Sequence, residues 1–153
     1  MPAHSSVATH TDTLYAVSAA LPATYNAAGY AATTVVFTNI GRVTDFTNYG
    51  SERPVSEFVP IFGAVEYVKG APRYGSGDIM MADMPLDAGQ IILAAAEASQ
   101  NHYSLKVTYP DGEIHYLDVI NSSWRISAGK EGAVMTRTGK LSICKAPVIV
   151  AAP

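Results

Sequence analysis

The stretch "YSLKVTYPDGEIHYL", from Tyr103 to Leu117, decides the fold class of this chain. Apolar or aromatic side chains alternate with Ser, Lys and Thr in its first seven residues, the period of two that is typical of a half-buried β-strand. Pro110 presets its own φ angle and Gly112 accepts a positive one, so "PDG" predicts a turn. The residues after the turn run back along the first strand. The stretch therefore predicts an antiparallel β-hairpin in a mainly β protein.

One α-helix is predicted, over about residues 87–99. Asp87 is a favourable N-cap residue, and Gln90 follows three positions later, as in a capping box. Ile, Leu and Ala occupy most sides of the helix, and Glu97 is the one charge after the first turn. Because a helix that is apolar on most sides is normally buried, we expect it to pack in the core against a sheet.

Strand signals continue on both sides of these elements. "TTVVFTNI", from Thr33 to Ile40, is β-branched and aromatic, and Gly41 interrupts it as at a bulge or tight bend. Several more strand-like segments follow the hairpin, which gives about seven to nine strands in all. The predicted fold is a two-sheet antiparallel β-sandwich or half-barrel with one packed α-helix, and the 153 residues favour a single domain over 1–153.

Three segments are predicted to lie outside this compact body. Residues 47–85 hold nine Gly or Pro between short strand-like pieces, which favours a long projecting loop or hairpin. Residues 1–32 hold ten alanines and one charge, which favours an N-terminal arm that orders against a neighbouring subunit. The alternative is that this segment crosses the protein's own core. Residues 146–153 are apolar and predict a C-terminal arm.

Charge is scarce and unevenly distributed. Charged residues make up 15% of the chain, against about 25% in typical domains, so either uncharged polar residues or partners cover the surface. The net charge of −3 argues against recognition of nucleic acid by a basic face. Residues 1–118 carry twelve acids and five bases, whereas residues 119–153 carry one acid and five bases. This asymmetry suits head-to-tail self-association, unless the strands simply differ in charge.

No pattern of catalytic, cofactor or metal-binding residues stands out. The chain lacks a G-x-S-x-G nucleophile elbow and a phosphate-binding loop, and its four histidines lack metal-ligand spacing. Cys144 is the single cysteine and is interpreted as a buried thiol. We therefore predict no catalytic residue, no cofactor, no metal and no enzymatic activity. A small esterase-like enzyme is disfavoured by the missing nucleophile motif.

The start of the chain has neither the basic region nor the apolar core of a secretory signal. Residues 13–41 are uncharged, but they contain Pro, Gly and Asn, which makes a membrane span improbable. We expect a soluble protein that is made in the cytoplasm and has no membrane partner.

The order of these segments resembles the major tail tube proteins of long-tailed (siphovirus-like) bacteriophages. The likeness is carried by "TYNAAGYAATTVVFTNIGRVTDF" (Thr24 to Phe46) and by "DAGQIILAAA" (Asp87 to Ala96) leading into the hairpin, and it covers roughly residues 20–145. This family is similar to the inner tube proteins of contractile tails and of type VI secretion. The resemblance implies a structural virion protein with no catalytic role.

The resemblance also implies partners and a location. Six copies would form a ring by joining their inner sheets, and stacked rings would form the conduit for DNA into the host cell. Tape measure, tail terminator and initiator proteins would be further partners, and DNA would pass without specific binding. The location would be the virion tail, assembled in the host cytoplasm. The alternative function is a monomeric β-sandwich binding module, such as a tail decoration or carbohydrate-binding domain.

Two sets of residues are candidates for these roles. Aromatic residues in the N-terminal arm and the projecting segment are predicted at contacts between subunits and rings: Tyr15, Tyr25, Tyr49, Phe58, Phe62 and Tyr67. From Asp45 to Asp87 there are seven acids and three bases, and an acidic lumen would repel DNA phosphates. The candidates for lumen-facing acids are Asp45, Glu52, Glu57, Asp78 and Asp83.

Overall fold

The structure is a computed structural model that describes residues 11–153, so the first ten residues of the predicted N-terminal arm lie outside it. Ten strands and two helices occur in this part of the chain. In order they are β1 (Leu14–Ser18), α1 (Ala27–Tyr30), β2 (Thr38–Asn39), β3 (Val43–Phe46), β4 (Val55–Phe58), β5 (Glu66–Lys69), β6 (Ser76–Ala82), α2 (Ala88–Ala98), β7 (Tyr103–Thr108), β8 (Ile114–Ser127), β9 (Thr136–Ile143) and β10 (Val148–Val150).

Eight of the strands form one antiparallel sheet, in the order β2-β1-β7-β8-β9-β6-β3, with β10 paired to the first part of β8. The two end strands, β2 and β3, are joined by residues 40–42, which can span at most about 15 Å. The sheet therefore curls until its two edges lie near each other, without closing into a barrel. Strands β4 and β5 form a separate two-stranded sheet. The predicted mainly β, two-sheet fold is confirmed.

The hairpin that predicted the fold is present as β7 and β8. Tyr103 pairs with Val119 and Thr108 pairs with Ile114, and Gly112 has a φ angle of 96° in the turn between them. The alternation continues around the sheet and places one apolar face in a common core with α2. Its most deeply buried members are Val17, Ile79, Met81, Leu93, Leu105, Val107, Leu117, Val119 and Leu141.

Helix α2 begins as predicted, at the Asp87 cap. Its carboxylate accepts hydrogen bonds from the N–H of Gln90 at 3.1 Å and from the N–H of Gly41 at 3.1 Å. The buried Gln90 side chain donates to the carbonyls of Ala82 and Gly41 and accepts from the N–H of Met84. These bonds tie the start of the helix to the turn between the two edge strands.

Helix α2 buries only one of its sides, which differs from the expectation that most sides would be covered. Leu93 and Ala96 are buried against the sheet, whereas Ile91 is 53% exposed. The reason is that the sheet contacts the helix from one side only, through β1, β2 and β8. The sequence also did not predict α1, a single turn capped by Asn26.

Parts of both predicted arms belong to the body. Residues 14–18 of the N-terminal segment form β1, with Tyr15 4% exposed and Val17 fully buried. For residues 14–18, the alternative in which the segment crosses the protein's own core therefore holds. Simple alternation is missing because residues 19–37 cover the second face, where Tyr30 stacks on Tyr116. In the C-terminal segment, β10 pairs with β8 of the same chain.

The strand predicted over residues 33–40 is mostly absent. Only Thr38–Asn39 pairs with β1, and Val36 is 69% exposed. The N–H of Val35 instead bonds to the carbonyl of Ala32 in a turn, so local turn formation prevails over β propensity. The predicted break at Gly41 is confirmed. The longest helix in the described part of the chain, α2, has 11 residues, and no helix there is long and apolar enough to cross a membrane.

Candidate assembly interface

A projecting hairpin, residues 55–69, is formed by β4, β5 and the tip between them. Its register pairs Val55 with Lys69 and Phe58 with Glu66, and every residue of it is exposed except the partly buried Pro60. Its largest exposed apolar side chains are Val55, Phe58, Val59, Ile61, Phe62, Tyr67 and Val68. Apolar side chains gathered on one projection typically mark an interaction surface. The prediction of a projection in residues 47–85 holds for this hairpin, whereas residues 76–82 form β6 in the large sheet.

A short ladder of backbone hydrogen bonds connects the projecting hairpin to the body. Glu52 and Arg73 exchange two bonds, of 2.7 and 2.6 Å, and the N–H of Gly70 donates to the carbonyl of Pro54 at 2.7 Å. Closer to the body, the N–H of Gly50 donates to the carbonyl of Tyr74 at 3.1 Å. The hairpin is therefore held on a paired stalk.

Tyr49 anchors this stalk in the body. Its hydroxyl bonds to the hydroxyl of Tyr109 at 2.7 Å and to Nδ1 of His115, whose Nε2 bonds to Glu113. In the tautomer whose Nε2–H donates to the carboxylate, Nδ1 accepts from the Tyr49 hydroxyl. Burial first, and the hydrogen bond to Tyr109 second, raise the pKa of Tyr49 well above its usual value. Tyr49 is thus a neutral anchor of the stalk.

The six aromatic residues predicted at subunit contacts fall into two groups. Phe58, Phe62 and Tyr67 are exposed on the projecting hairpin, by 58%, 97% and 69%. Tyr25 is 41% exposed, with the Lys145 ammonium 4.3 Å from its ring centre. Tyr15 is 4% exposed in the core, because β1 is internal, so its predicted place at a contact is not supported by the fold of the chain. Tyr49 is half-buried in the anchor described above, and its place at a contact stays a prediction.

The large sheet leaves one polar face uncovered. This open face comprises the exposed side of β3, β6, β9 and residues 120–127 of β8. On β6, Gly77, Ile79 and Met81 point into the core and the alternate residues point outward. The register places the following side chains together on the open face: Asp45, Ser76, Asp78, Met80, Ser123, Arg125, Thr138 and Lys140. The face combines two acids with two bases.

The open face has an unpaired strand edge on each side in the described structure. Strand β3 pairs with β6 alone. Strand β8 pairs with β7 only through residues 114–119, and residues 120–127 pair with β9 alone. Unpaired edges of this kind are ready to add a further strand.

The five predicted lumen acids are separated by the fold. Asp45 and Asp78 lie on the open face, and Asp78 is directly opposite Lys140. Glu52 lies in the stalk and Glu57 on the projecting hairpin. Asp83 accepts a hydrogen bond from Nε of Arg137 at 3.1 Å, and its side chain is only 12% exposed. Asp83 is therefore engaged in a partly buried ion pair.

A second exposed apolar patch was missed. Leu86 is 94% exposed, and Ile91 and Met84 beside it are 53% and 38% exposed. Ile91 was predicted in the core because the whole helix was predicted to be buried. The helical spacing could have corrected this, because Ile91 is not on the side of the helix that holds Leu93 and Ala96 and that the sheet covers.

Comparison with solved structures shows which known proteins share this fold. A chain of the anti-feeding prophage baseplate superposes with a TM-score of 0.66 at 10% identity, covering 97% of this chain and 99% of that one. The tail tube of SPP1 gives 0.65 at 13% identity, covering 94% and 78%. This chain has the tail tube fold.

The same fold occurs in a type six secretion system protein, with a TM-score of 0.51 at 13% identity over 86% of this chain and 78% of that one. No protein-family model matches the sequence, and no curated protein matches it. The tail tube fold is thus recognised from the backbone, at sequence identities of 10% and 13%.

Proposed function

We propose that this protein is a structural subunit of a phage-like tail tube, in which rings of six copies stack into the conduit for DNA. The open face with an unpaired edge on each side carries this proposal. If β3 of one copy pairs with residues 120–127 of the next, each edge is satisfied by a different surface of an identical chain. Such heterologous contacts close into a ring when the rotation between copies permits it.

Contact between rings is assigned to the projecting hairpin. A paired stalk connects it to the body, and its exposed Phe and Tyr side chains would gain burial by contacting another copy. Phe58, Phe62 and Tyr67 are the proposed anchors, because large aromatic side chains dominate most interfaces. Tape measure, terminator and initiator proteins would be further partners of the tube, as the resemblance implies.

The open face is assigned to the lumen, where Asp45 and Asp78 would be the acids that DNA meets. Arg125 and Lys140 on the same face make its charge balanced, so DNA would find no continuous basic track to bind. The proposed location is the virion tail, assembled in the host cytoplasm. No catalytic step is part of the proposal.

Cysteine cross-linking between the two edges tests ring closure. A chain carrying Thr44→Cys on β3 and Ser122→Cys on the free part of β8 is treated with a short bis-maleimide linker. We expect a ladder of covalent species up to six chains, because every copy then bears one reactive group on each edge. The two single variants are the controls; both retain Cys144, and neither should extend the ladder beyond species formed by the native chain. A double variant that links no further than the single variants would overturn ring closure through these edges.

A further inference from the structure

His102, Asp118 and Cys144 meet at one end of the sheet. His102 directly precedes β7, Asp118 lies within β8, and Cys144 directly follows β9. Their potential ligand atoms all lie within 4.8 Å of one another. Spacing along the sequence did not predict this set, because three separate segments contribute one residue each.

Asp118 gives the cluster an unusual feature. Its side chain is fully buried, and Oδ1 is bonded to Nδ1 of His102 at 3.0 Å. Its other oxygen, Oδ2, is also buried and has no hydrogen-bond partner in the described structure. Leaving a buried acceptor unsatisfied costs about 1–3 kcal/mol, and more when it is charged. An atom of this kind in a folded protein calls for a bound ion or water.

We propose that His102, Asp118 and Cys144 bind a divalent cation of the zinc class. Imidazole nitrogen, carboxylate oxygen and thiolate sulfur are the three ligand types that zinc takes in proteins. A tetrahedral zinc holds such atoms about 3.3–3.8 Å apart, so small side-chain rotations suffice to close the cluster around the ion. A water molecule completes the fourth position, since the His102 side chain is 39% exposed and opens the cluster to solvent.

Charge and ligand softness favour this class of cation. One carboxylate and one thiolate neutralise a divalent ion, so a buried site would carry no net charge. Mg²⁺ and Ca²⁺ prefer all-oxygen ligand sets, and the thiol disfavours them. Burial first, and the Asp118 carboxylate second, raise the pKa of Cys144. A cation that takes the thiolate as a ligand displaces the thiol proton on binding.

A nucleophilic thiol is the other chemistry that these residue types permit. Catalytic cysteines rely on a lowered pKa so that the thiolate forms at neutral pH. Here the Cys144 thiol donates to the carbonyl of Ser142 at 3.6 Å, and Nδ1 of His102 is bonded to Asp118 at 3.0 Å. This arrangement around a buried carboxylate suits a ligand set better than a nucleophile.

The bound cation would connect the start of β7, the middle of β8 and the segment between β9 and β10. The backbone N–H of Cys144 already donates to the carbonyl of Asp118 at 2.8 Å. A metal bridge would reinforce this contact and hold the C-terminal strand β10 beside β8. This inference stands independently of the proposed assembly.

Titration of the purified full chain with Co²⁺ tests the site, because cobalt replaces zinc and its bond to a thiolate gives a charge-transfer absorption band. We expect one Co²⁺ per chain with this band, and its displacement by Zn²⁺. Cys144→Ser should abolish the band, and Asp118→Asn should weaken affinity at least about 100-fold, since even an outer-shell change costs 10–100-fold. The double variant His4→Ala, His10→Ala is the control for histidines elsewhere and should bind as the unmodified chain does.

The result that would overturn the proposal is saturable binding without a thiolate band, or no 1:1 binding at all, in the unmodified chain. This reading does not depend on the folding of any variant. As a second measurement, Zn²⁺ should raise the Tm of the unmodified chain and leave that of Cys144→Ser unchanged. An equal rise in both proteins would place the bound metal elsewhere and refute the assignment.

Discussion

A substitution at Phe62 should change assembly without changing the folding of the single chain. Its side chain is 97% exposed at the tip of the projecting hairpin, so it contributes almost nothing to the fold of a single chain. Full burial of a Phe side chain in a partner is worth about 1.5–3 kcal/mol. Phe62→Ser should therefore raise the critical concentration for assembly by about 10- to 150-fold. The free energy of unfolding of the monomer should change by less than about 0.5 kcal/mol.

Sedimentation of assembled material over a concentration series measures this effect. Val36→Ser is the matched control, because Val36 is 69% exposed but lies far from the hairpin in sequence and outside the proposed contacts. Assembly of Phe62→Ser at the same concentration as the unmodified chain would refute the role of the hairpin. An equal loss in Val36→Ser would show that exposed apolar area in general, and not this hairpin, controls association.

Three further predictions concern stability. Gln90→Ala should lower the free energy of unfolding, measured by urea denaturation, by about 2–4 kcal/mol, because three backbone groups lose their hydrogen bonds to its side chain. The control Gln100→Ala, at an exposed position, should change the free energy of unfolding little. Tyr49→Phe should cost about 1–3 kcal/mol by leaving His115 and Tyr109 without its hydroxyl, whereas the same change at exposed Tyr67 should cost under about 0.5 kcal/mol; equal losses would contradict the anchor. Burial raises the pKa of Tyr15, Tyr30 and Tyr49 in the folded state. Their contribution to the free energy of unfolding is therefore fully present below the unfolded-state pKa of about 10. Above that pH the unfolded chain releases protons that the folded chain retains, so the urea midpoint should fall as the pH rises. The fall should be less steep in Tyr49→Phe. A midpoint that does not change up to about pH 11 would refute this effect of tyrosine burial.

Local patterns predicted those elements that a short run of sequence specifies by itself. The polar-apolar alternation in β7, the turn at Gly112 and the Asp87 cap are of this kind, and each occurs where the sequence indicates. The capping-box pattern predicted the Asp87 cap correctly but not the hydrogen bonds of the Gln90 side chain. The Gln90 side chain leaves the helix and bonds to distant backbone groups, which local sequence does not specify.

The remaining elements depended on contacts distant in sequence. Strand β1 was assigned to an arm because both its faces are covered, so alternation gives no signal. The same limitation explains Tyr15, which was predicted at an interface and is buried. The exposure of the hairpin aromatics was indicated by surroundings rich in Gly and Pro, and their place at an interface stays a prediction. The pairing of Asp83 with Arg137 and the meeting of His102, Asp118 and Cys144 follow only from strand order.

The central claim is that identical chains join edge to edge and stack. Negative-stain electron microscopy of the purified full-length protein, with light scattering on the same sample, tests it most directly. The account predicts hollow rings or tubes and a scattering mass that is a multiple of six chains of 16.2 kDa. Particles of monomer mass at every soluble concentration, without rings or tubes, would contradict it and favour a binding module that works as a single copy.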